Sequence, residues 1–313
     1  MRNNVAIIIL NYNNASDTIN CIRSIREHNS ASIKIIVVDN GSTNSNSACE
    51  IESFLRSSSY TFKIIKDTDP FMAELPDSVL IISESNDGYA RGNNKGLQFA
   101  YNDDSIEDIL ILNNDTIFVE DIIPGLLQRR EYLKDCAFIT PILLTKEGHI
   151  DHTCARLEPS IWDVIIPFLT FKRDFFKCLT RIKKKNKVLL QNPGLMDSDS
   201  FPVHMPSGSC MLIKKALFKQ LGGFDPNTFL YYEENILAKK IEAAGLRNYC
   251  IPSLKCIHLG AGSTSHSSGS FLQRCNLESA NYYLTGFRQM TFSQKIVWGL
   301  CKSAWHLKWL IYR

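Results

Sequence analysis

The sequence predicts an α/β fold: a mostly parallel sheet with helices on both faces, followed by an amphipathic helix at the carboxyl end. Short β-branched apolar runs recur early in the chain, at Val5–Leu10, Ile33–Val38, Val79–Ile82 and Ile109–Leu112. Helical patterns separate these runs, and continuous apolar runs of this length are typical of buried parallel strands. Such alternation of strands and helices indicates a parallel sheet that is covered on both sides.

Length and composition exclude several classes of protein. The chain has 313 residues, of which 44% are hydrophobic, so it can bury a large core as one domain or as two fused ones. Its formal net charge of +3 does not indicate a nucleic-acid partner. Its ten cysteines form no C-x-x-C pair, so we expect reduced thiols in a cytoplasmic protein. We expect neither a signal peptide nor a membrane-spanning helix, because a cleavage site and an apolar run of about 18 residues are both missing.

The remaining elements follow from local patterns. Ser16 is expected to cap a helix whose apolar face begins with Ile19 and Ile22. A loop rich in glycine and asparagine at 86–94 is expected to lead into a helix near 95–100. The patterns also predict a strand at Cys210–Ile213 and helices at about 46–57, 214–221, 233–244 and 293–313.

Four polar segments fall at or just after the ends of predicted strands. They are residues 11–13, 39–42, 86–94 and 113–115. Ligands of open α/β sheets bind beyond the carboxyl ends of the strands, so we expect the four segments to converge on one site. Any one of them alone would be ordinary turn chemistry.

Five ordered sequence blocks carry a resemblance to a known family. They read VAIIILNYNN at 5–14, IIVVDNGSTN at 35–44, NDGYARGNNKGL at 86–97, LILNNDT at 110–116, and a stretch from SGSCMLIKKALFKQLGGFDPNTFLYYEE to HLGAGS. Over roughly residues 4–265 the chain resembles family 2 glycosyltransferases, especially rhamnosyltransferase-like members of bacterial polysaccharide biosynthesis. The resemblance implies a Rossmann-like fold of the GT-A type. It also implies inverting transfer of a sugar from a UDP- or dTDP-sugar donor to a glycan acceptor of the bacterial cell surface.

The resemblance places a metal site at the end of the fourth predicted strand. A divalent Mg²⁺ or Mn²⁺ ion there would stabilise the diphosphate leaving group, with Asp115 as its carboxylate ligand and His258 completing the contacts. Asn113 stands where the family has the first acid of a D-x-D pair, so the site carries less negative charge. The alternatives are that residues 113–115 only cap a turn and that His258 is structural.

The resemblance assigns the nucleotide-sugar donor to the strand ends and to the glycine-rich block. Asp39 is expected to accept from the imide N–H of uracil or thymine, an edge that both bases share. Arg91 is expected to bind phosphate, which suits a guanidinium group. The complete set of expected donor contacts is Asn11, Asn13, Asp39, Asn86, Gly88, Arg91, Asn94, Asn113 and Asn114.

The expected catalytic residues form an acidic pair, Glu233-Glu234, after an aromatic segment. The resemblance aligns Glu234 with the family's general base, which deprotonates the acceptor hydroxyl, and leaves Glu233 as the second candidate. A further acid of the family falls on Ile236 and is therefore missing. The two glutamates would also stabilise a helix N-terminus through its dipole, which is compatible with a catalytic role.

The predicted domain organisation is a transferase domain at 1–265 and a helical extension at 266–313. The domain divides into a nucleotide-sugar-binding half at 1–118 and an acceptor half at 119–265. The acceptor half contains an insertion rich in aromatic and basic residues at about 160–205.

Two segments suit peripheral attachment to the anionic inner face of the cell membrane, where polyprenyl-diphosphate-linked glycan acceptors are found. One is the basic insertion, and the other is the C-terminal helix. The alternatives are a solvated loop and a helix that docks on the domain or forms a dimer contact. The helix sets Trp298, Trp305, Trp309 and Tyr312 on one side and Leu300, Leu307 and Ile311 on the other.

Two other functions compete with transfer. A sugar-1-phosphate nucleotidyltransferase would need a glycine-rich loop with Arg or Lys directly after the first strand, where this sequence has NYNN. A non-catalytic glycan- or nucleotide-sugar-binding protein of the same fold is favoured by Asn113 and Ile236. It is opposed by four retained residues, Asp39, Asp115, Glu234 and His258. Turnover of a donor separates this second alternative from the enzyme.

Overall fold

A mixed sheet of ten strands forms the centre of the molecule, which the computed structural model describes at residues 4–169, 187–260 and 268–311. The strands are β1 (Asn4–Asn11), β2 (Ile33–Asp39), β3 (Phe62–Lys66), β4 (Ser78–Ile82), β5 (Ile106–Asn113), β6 (Thr116–Phe118), β7 (Cys136–Leu144), β8 (Ala155–Arg156), β9 (Phe201–Val203), β10 (Met205–Pro206), β11 (Cys210–Lys214) and β12 (Arg247–His258). Their order is β3-β4-β2-β1-β5-β11-β7-β12-β6, with β9 beside β12, and β8 and β10 form a separate pair. The predicted mostly parallel α/β architecture is confirmed.

The first five strands build the parallel half of the sheet. β1 pairs with β2 so that Asn11 lies opposite Asp39, and it pairs with β5 so that Leu10 lies opposite Asn113. The polar residues that end these strands therefore meet at one edge of the sheet, as the sequence predicted.

The second half of the sheet brings a distant histidine to the same edge. β11 runs antiparallel to β5, while β12 runs parallel to β7 and antiparallel to the short β6. His258 ends β12 and lies opposite Thr116, the residue after Asp115. A separation of more than 140 residues in sequence thus becomes a direct contact.

Helices cover both faces of the sheet. The prediction that Ser16 caps the first helix is wrong, because the chain is already helical at Ala15 and the side chain of Asn14 accepts from the Asp17 backbone N–H. The helices are α1 (Ala15–His28), α2 (Ser45–Ser57), α3 (Gly88–Tyr101), α4 (Ile122–Tyr132), α5 (Ile161–Leu169), α6 (Val188–Gln191), α7 (Lys215–Gln220), α8 (Glu233–Ala243), α9 (Gly269–Phe287) and α10 (Phe292–Ile311).

The glycine-rich block is mostly helix, whereas we expected a loop at 86–94. Helix α3 begins at Gly88, and its later glycines face the sheet. A Cβ atom on Gly92 would lie 2.6 Å from the Leu10 side chain, and one on Gly96 would lie 2.8 Å from the Ile8 side chain. These two glycines therefore let the helix pack closely on β1 and do not cradle phosphate.

Apolar side chains form a cluster on each face of the sheet and a third cluster among the C-terminal helices. In the third, Trp298 and Trp305 of α10 pack inward, whereas Leu300 and Leu307 are 68% and 58% exposed. The expected division of this helix into two apolar sides therefore holds for these four residues. Residues 170–186, Tyr312 and the side chains of Trp309 and Ile311 lie outside the described structure, so most of the predicted basic insertion does too. Over 4–169, 187–260 and 268–311, no helix has the length and hydropathy needed to cross a membrane.

Candidate active site

A cleft of about 560 Å³ opens at the carboxyl edge of β1, β2 and β5. Concave sites of this size at the ends of parallel strands are the usual ligand sites of α/β folds. The cleft brings five expected site residues together with His258: Asn86, Gly88, Asn113, Asn114 and Asp115. Its lining also contains residues that the sequence analysis did not single out. Its lining is Leu10, Tyr12, Asn40, Asn86, Gly88, Tyr89, Asn113, Asn114, Asp115, Phe229, Leu230, His258, Gly260 and Phe271.

Asn11 is a buried residue that holds the carboxyl ends of β1 and β2 together. Its side chain is fully buried, and its amide nitrogen donates to Asp39 Oδ1 at 2.6 Å and to Ser47 Oγ at 3.0 Å. Its amide oxygen accepts from Thr18 Oγ1 at 2.8 Å. Because these bonds use the whole amide group, Asn11 positions Asp39, which lies next to the cleft residue Asn40.

Asn13 joins the loops that follow β1 and β2. Its backbone is left-handed, with φ of 55°, a conformation that asparagine tolerates better than most residues. The backbone N–H of Asn13 donates to Ser42 Oγ at 2.9 Å, and its side-chain oxygen accepts from the Asn44 N–H at 2.8 Å. This bridge holds the two loops together beside Asp39.

The start of α3 is tied to the segment that precedes the acidic pair. Asn86 Oδ1 accepts from the Gly88 N–H at 2.9 Å and from Asn40 Nδ2 at 3.0 Å. Gly88 has φ of +80°, and a Cβ atom there would lie 2.1 Å from the carbonyl oxygen of Phe229. Glycine is therefore required at this position, which also lets the Tyr89 N–H donate to Phe229 O at 2.8 Å.

Arg91 and Asn94 do not line the cleft. Arg91 Nε donates to the carbonyl oxygen of Pro226 at 2.8 Å. The Asn94 amide bonds both ways to the Phe224 backbone, donating at 2.8 Å and accepting at 3.0 Å. In this structure both side chains hold the turn around residues 222–226, so their expected donor contacts stay predictions.

Asp115 and His258 face each other at the centre of the cleft. His258 Nε2 lies 3.4 Å from Asp115 Oδ1 and 3.1 Å from Ser209 Oγ, and His258 Nδ1 lies 2.9 Å from Asp151 Oδ2. Burial disfavours the charged imidazole, but hydrogen bonds and charge interactions with Asp115 and Asp151 outweigh it and raise the pKa of His258 to about 10. Burial likewise opposes ionisation of Asp151, yet its bonds to His258 and Thr153 lower its pKa to about 2.

The two asparagines before Asp115 are held by neighbouring loops. Asn113 Nδ2 donates to Ser209 Oγ at 3.1 Å, and Asn114 Nδ2 donates to Thr18 Oγ1 at 3.1 Å. Both residues line the cleft, so each can still contact a bound ligand. The bonds fix the backbone that carries Asp115, whose side chain is 2% exposed.

The donor set at Asp115 fits a divalent cation that shares its coordination with a substrate. A carboxylate and an imidazole that is oriented by a second carboxylate, Asp151, form a recurrent metal-binding arrangement, in which the cation takes the place of the proton on His258 Nε2. Among the described residues, however, no group of three or more His, Cys, Asp or Glu side chains is placed to hold a metal ion. The protein would thus supply Asp115 and His258, and the remaining ligands would be diphosphate oxygens and water, as is common for Mg²⁺.

The acidic pair opens α8 after an unusual stretch of backbone. Tyr231 and Tyr232 have φ of 75° and 69°, a left-handed conformation that is strained for aromatic residues. This double turn directs Glu233 and Glu234 into a second cavity, of about 240 Å³. Tyr89 and Leu230 line both cavities and so form their common wall.

Glu233 and Glu234 have different environments. Glu234 is partly exposed, its Oε1 accepts from the Gly208 N–H at 2.8 Å, and its Oε2 lies 3.3 Å from Arg156 Nη2. Glu233 is 4% exposed, and its Oε1 has no hydrogen-bond partner. Burial, together with the charge of Glu234, raises the pKa of Glu233 to about 8. Glu233 is therefore the less suited of the two to be ionised at neutral pH.

Several residues of this site were not predicted from the sequence, among them Tyr89, Asp151, Arg156 and Ser209. Tyr89 and Ser209 lie inside the quoted blocks, which could have drawn attention to them. Asp151 and Arg156 lie in a short irregular region between β7 and α5, where no pattern marks them. Only the folded chain brings these two residues to His258 and Glu234.

Comparison with known proteins identifies the family and the fold of the chain. The model of the family described as "Glycosyl transferase family 2" matches residues 6–222. The chain is 38% identical to an N-acetylglucosaminyl-diphospho-decaprenol L-rhamnosyltransferase of Mycobacterium tuberculosis over 71 residues, 23% of each chain. It is 26% identical to the low-salt glycan biosynthesis hexosyltransferase Agl10 of Haloferax volcanii over 75% of this chain and 60% of that protein. For the rhamnosyltransferase WbbL of Escherichia coli K12, the identity is 28% over 63% of this chain and 70% of that protein.

The chain therefore spans only about a quarter of the mycobacterial relative and 60% of the haloarchaeal one. Among solved structures, it resembles GalNAc-T7 with UDP, GalNAc and Mn²⁺, with a TM-score of 0.61 and 11% identity over 90% of this chain and 48% of that one. It also resembles the mannosyltransferase PcManGT of Pyrobaculum calidifontis with GDP-Man and Mn²⁺, with a TM-score of 0.52 and 13% identity over 96% and 73%. These likenesses confirm the GT-A fold, and the family match extends over more than half of the sequence: the chain belongs to glycosyltransferase family 2.

Proposed function

We propose that the protein is an inverting glycosyltransferase that moves a sugar from a UDP- or dTDP-sugar to a glycan acceptor. The observation that carries the proposal is the pair of adjoining cavities. The larger one contains Asp115 and His258, the pair that we propose to bind the metal ion, and the smaller one has the carboxylate of Glu234. Because Tyr89 and Leu230 border both cavities, a donor sugar in one and an acceptor hydroxyl in the other would meet at this wall.

The donor would bind at the ends of the parallel strands. Asp39, held by Asn11, would accept from the base, and Gly88, which lines the cleft, would lie beside the sugar diphosphate. Asp115 and His258 would hold a divalent metal ion, which supplies positive charge to the leaving diphosphate. The GT-A neighbours bound to Mn²⁺ and a nucleotide or nucleotide sugar support this part of the proposal.

Glu234 would act as the general base. The Gly208 N–H fixes one of its oxygens, so the carboxylate has a defined direction in the acceptor cavity. It would take the proton of the acceptor hydroxyl as that oxygen attacks the anomeric carbon from the face opposite the diphosphate. A single displacement of this kind inverts the configuration at the anomeric carbon. Arg156, which lies near the other oxygen, would orient the carboxylate.

The acceptor would be a glycan on a polyprenyl diphosphate in the synthesis of a bacterial surface polysaccharide. The name of the mycobacterial relative describes an acceptor of this kind. A lipid-linked acceptor requires the enzyme to work at a membrane surface. The exposed apolar stripe on α10 provides a means of reaching it, and this helix contains no aspartate or glutamate. The large exposed side chains of the stripe are Phe292, Ile296, Leu300, Leu307 and Leu310.

Vesicle binding tests the membrane part of the proposal separately. We expect the protein to sediment with vesicles that contain anionic lipid and to bind neutral vesicles less, because the helix is basic as well as apolar. Leu300→Glu combined with Leu307→Glu should abolish sedimentation. The matched control, Ser53→Glu with Gln98→Glu, adds the same charge at exposed positions elsewhere and should keep it. Equal sedimentation of the two double variants would overturn the membrane assignment.

Release of nucleoside diphosphate tests the transferase proposal itself. The assay would offer UDP-, dTDP- and GDP-sugars with Mg²⁺, Mn²⁺ or EDTA, and a polyprenyl-diphosphate-linked glycan as acceptor. We expect turnover of one uracil or thymine donor that depends on both metal and acceptor. If folded protein binds a donor but turns over none, the non-catalytic reading replaces the enzyme. The burial of Ile236 in the C-terminal core cluster, where the family has an acid, is the observation that favours that reading.

A further inference from the structure

The loop of residues 207–209 joins β10 to β11 and bonds to groups that belong to both cavities. The backbone N–H of Gly208 donates to Glu234 Oε1 at 2.8 Å, and Glu234 lines the smaller cavity. One residue later, Ser209 Oγ lies 3.1 Å from Nε2 of His258, which lines the larger cavity. The 207–209 loop therefore connects the proposed base to the proposed metal-binding pair through two adjacent residues.

Hydrogen bonds from two neighbouring strands hold this loop in place. The side-chain amide of Asn113 donates to Ser209 Oγ at 3.1 Å, and the Asn113 backbone N–H donates to the Ser209 carbonyl oxygen, also at 3.1 Å. Thr116 Oγ1 donates to the same carbonyl oxygen at 3.0 Å. Ser207 and Ser209 are both buried, and their hydroxyl oxygens lie 3.1 Å apart. The position of the loop is therefore fixed relative to the sheet.

Tyr89 reaches the same loop from helix α3. Its hydroxyl donates to the carbonyl oxygen of Gly208 at 3.1 Å. Burial and the charge of Glu234 raise the pKa of Tyr89 well above its usual value, so the hydroxyl keeps its proton and does not itself act as a base. The rest of Tyr89 is also held, because its N–H donates to Phe229 O at 2.8 Å and its ring packs edge-on against Phe224. The hydroxyl therefore meets Gly208 from a fixed position.

Gly208 is the point at which Tyr89 and Glu234 come together. A Cβ atom on Gly208 would lie 2.5 Å from Tyr89 Oη and 3.0 Å from Glu234 Oε1, so a side chain does not fit between them. Glycine, however, has more backbone freedom than any other residue. A hydrogen bond to the Gly208 carbonyl oxygen restricts that freedom and with it the direction of the Gly208 N–H.

We propose that Tyr89 is a positioning residue for the general base: its hydroxyl fixes the Gly208 backbone, and the Gly208 N–H fixes the carboxylate of Glu234. The inference rests on the proposed transferase function and deepens it, because it adds a residue that directs the base without taking the proton. A displacement of a reacting group by about 1 Å can lower the rate by about 100-fold. Loss of this hydroxyl should therefore lower kcat and leave substrate binding largely unchanged.

The test begins with Tyr89→Phe, which removes the hydroxyl and keeps the ring. With the donor that wild type turns over, we expect kcat to fall by about 10-fold, while donor affinity and acceptor KM change by less than about twofold. In the Glu234→Gln background, Tyr89→Phe should lower kcat by less than about twofold, because no base is left to position. Tyr132→Phe removes a hydroxyl from an exposed residue and is the matched control, which should behave as wild type.

Gly208→Ala tests the same contact from its other side. The added methyl group would displace the Tyr89 hydroxyl, so kcat should fall at least as far as in Tyr89→Phe. Combining the two changes should lower kcat by less than the product of their separate effects, because both remove one contact. Gly194→Ala is the control, since a Cβ atom there would meet nothing within 4 Å. Tyr89→Phe alone decides the question if Gly208→Ala does not fold.

Two results would overturn the positioning role. One is wild-type kcat in Tyr89→Phe. The other is an effect of Tyr89→Phe that is as large in the Glu234→Gln background as in wild type, which would mean that the hydroxyl acts independently of the base. In both cases, loss of turnover in Glu234→Gln would leave the transferase in place. Absence of turnover by wild type would overturn the proposed function and this inference with it.

Discussion

The proposed donor edge, at the carboxyl ends of β1, β2 and β5, differs from the proposed acceptor cavity, beside Glu233 and Glu234, in how its polar groups are paired. At the donor edge, polar side chains bond to each other: Asn11, Asp39 and Thr18 form a closed buried network, and Asn113 and Asn114 are tied to neighbouring loops. In the acceptor cavity, buried polar atoms lack partners and the backbone at residues 231–232 is left-handed. The polar groups of the first region satisfy each other, whereas the second region leaves some of its buried polar groups unpaired.

This difference separates residues that stabilise the fold from residues that are available to bind a ligand. A network that satisfies itself contributes to folding and presents few groups, chiefly Asp115 and His258, toward the cleft. A cavity with unsatisfied groups is unfavourable for folding and gains on binding. Substitutions at the donor edge should therefore affect stability as well as activity, while those in the acceptor cavity should affect activity and substrate choice, and some should stabilise the fold.

The largest expected effect is at the base. Glu234→Gln removes the proton acceptor but keeps the bond from Gly208, so we expect kcat to fall by about 10³-fold with donor affinity unchanged. The check is steady-state kinetics together with donor titration. Glu242→Gln, which changes an exposed acid at the other end of α8, should behave as wild type. A Glu234→Gln enzyme with more than a tenth of wild-type kcat would show that another group takes the proton.

Asp115→Ala should be nearly as severe. It removes the carboxylate of the proposed metal site, and we expect activity to fall by about 10²- to 10³-fold with little remaining response to Mg²⁺ or Mn²⁺. Titrating metal into the donor-bound protein gives the measurement, and Asp104→Asn, an exposed acid on the same half, is the control. Unchanged metal affinity in Asp115→Ala would place the metal elsewhere or remove it from the reaction.

The burial of Glu233 predicts a pH-dependent change in stability. Its pKa is about 8 in the folded protein, above the value of an unfolded glutamate, so between these pH values the unfolded chain has lost a proton that the folded chain retains. The stability contributed by this group is full below the unfolded pKa and is lost as the pH rises through the folded pKa. Glu233→Gln removes this loss. The difference in free energy of unfolding between the variant and wild type should therefore favour the variant by a few kcal/mol more at pH 8 than at pH 5.

Urea unfolding at both pH values measures that difference, with Glu242→Gln as the control for loss of a surface carboxylate. If the gap between Glu233→Gln and wild type is the same at pH 5 and pH 8, Glu233 is not a buried acid of raised pKa. The contrast between an unsatisfied acceptor cavity and a satisfied donor edge would then lose its main thermodynamic support.

Asn94→Ala should have the smallest effect on activity. It tests whether Asn94 stabilises the fold or contacts the donor. Two hydrogen bonds to the Phe224 backbone would be lost, so we expect the free energy of unfolding to fall by about 1–3 kcal/mol. Donor affinity should change less than threefold, because the side chain does not line the cleft. A large loss of donor affinity with intact stability would support the contact that the sequence resemblance assigns to Asn94.

The sequence predicted the parallel half of the fold well, because its strands are buried on both faces and read as continuous apolar runs. Several strands were not predicted, and two of them show why. Phe62–Lys66 lies at the edge of the sheet, and two of its five residues are lysines, so it does not read as a continuous apolar run. Cys136–Leu144 contains Pro141, which a strand tolerates here because the pairing with β12 is irregular next to it.

The site was predictable to a similar extent. Residues at strand ends, such as Asp115, could be located because the parallel topology brings such ends together. Arg156 and Asp151 could not be located, because their roles depend on how irregular segments pack around the site. Sequence periodicity carries no information about those tertiary contacts.

The central claim is a single displacement driven by Glu234 at the junction of the two cavities. The anomeric configuration of the product tests it most directly, by NMR of the transferred sugar from a donor of known configuration. We predict a product whose anomeric configuration is opposite to that of the donor. A product of the same configuration as the donor would contradict the claim, since retention requires a different mechanism from the one that this geometry supports.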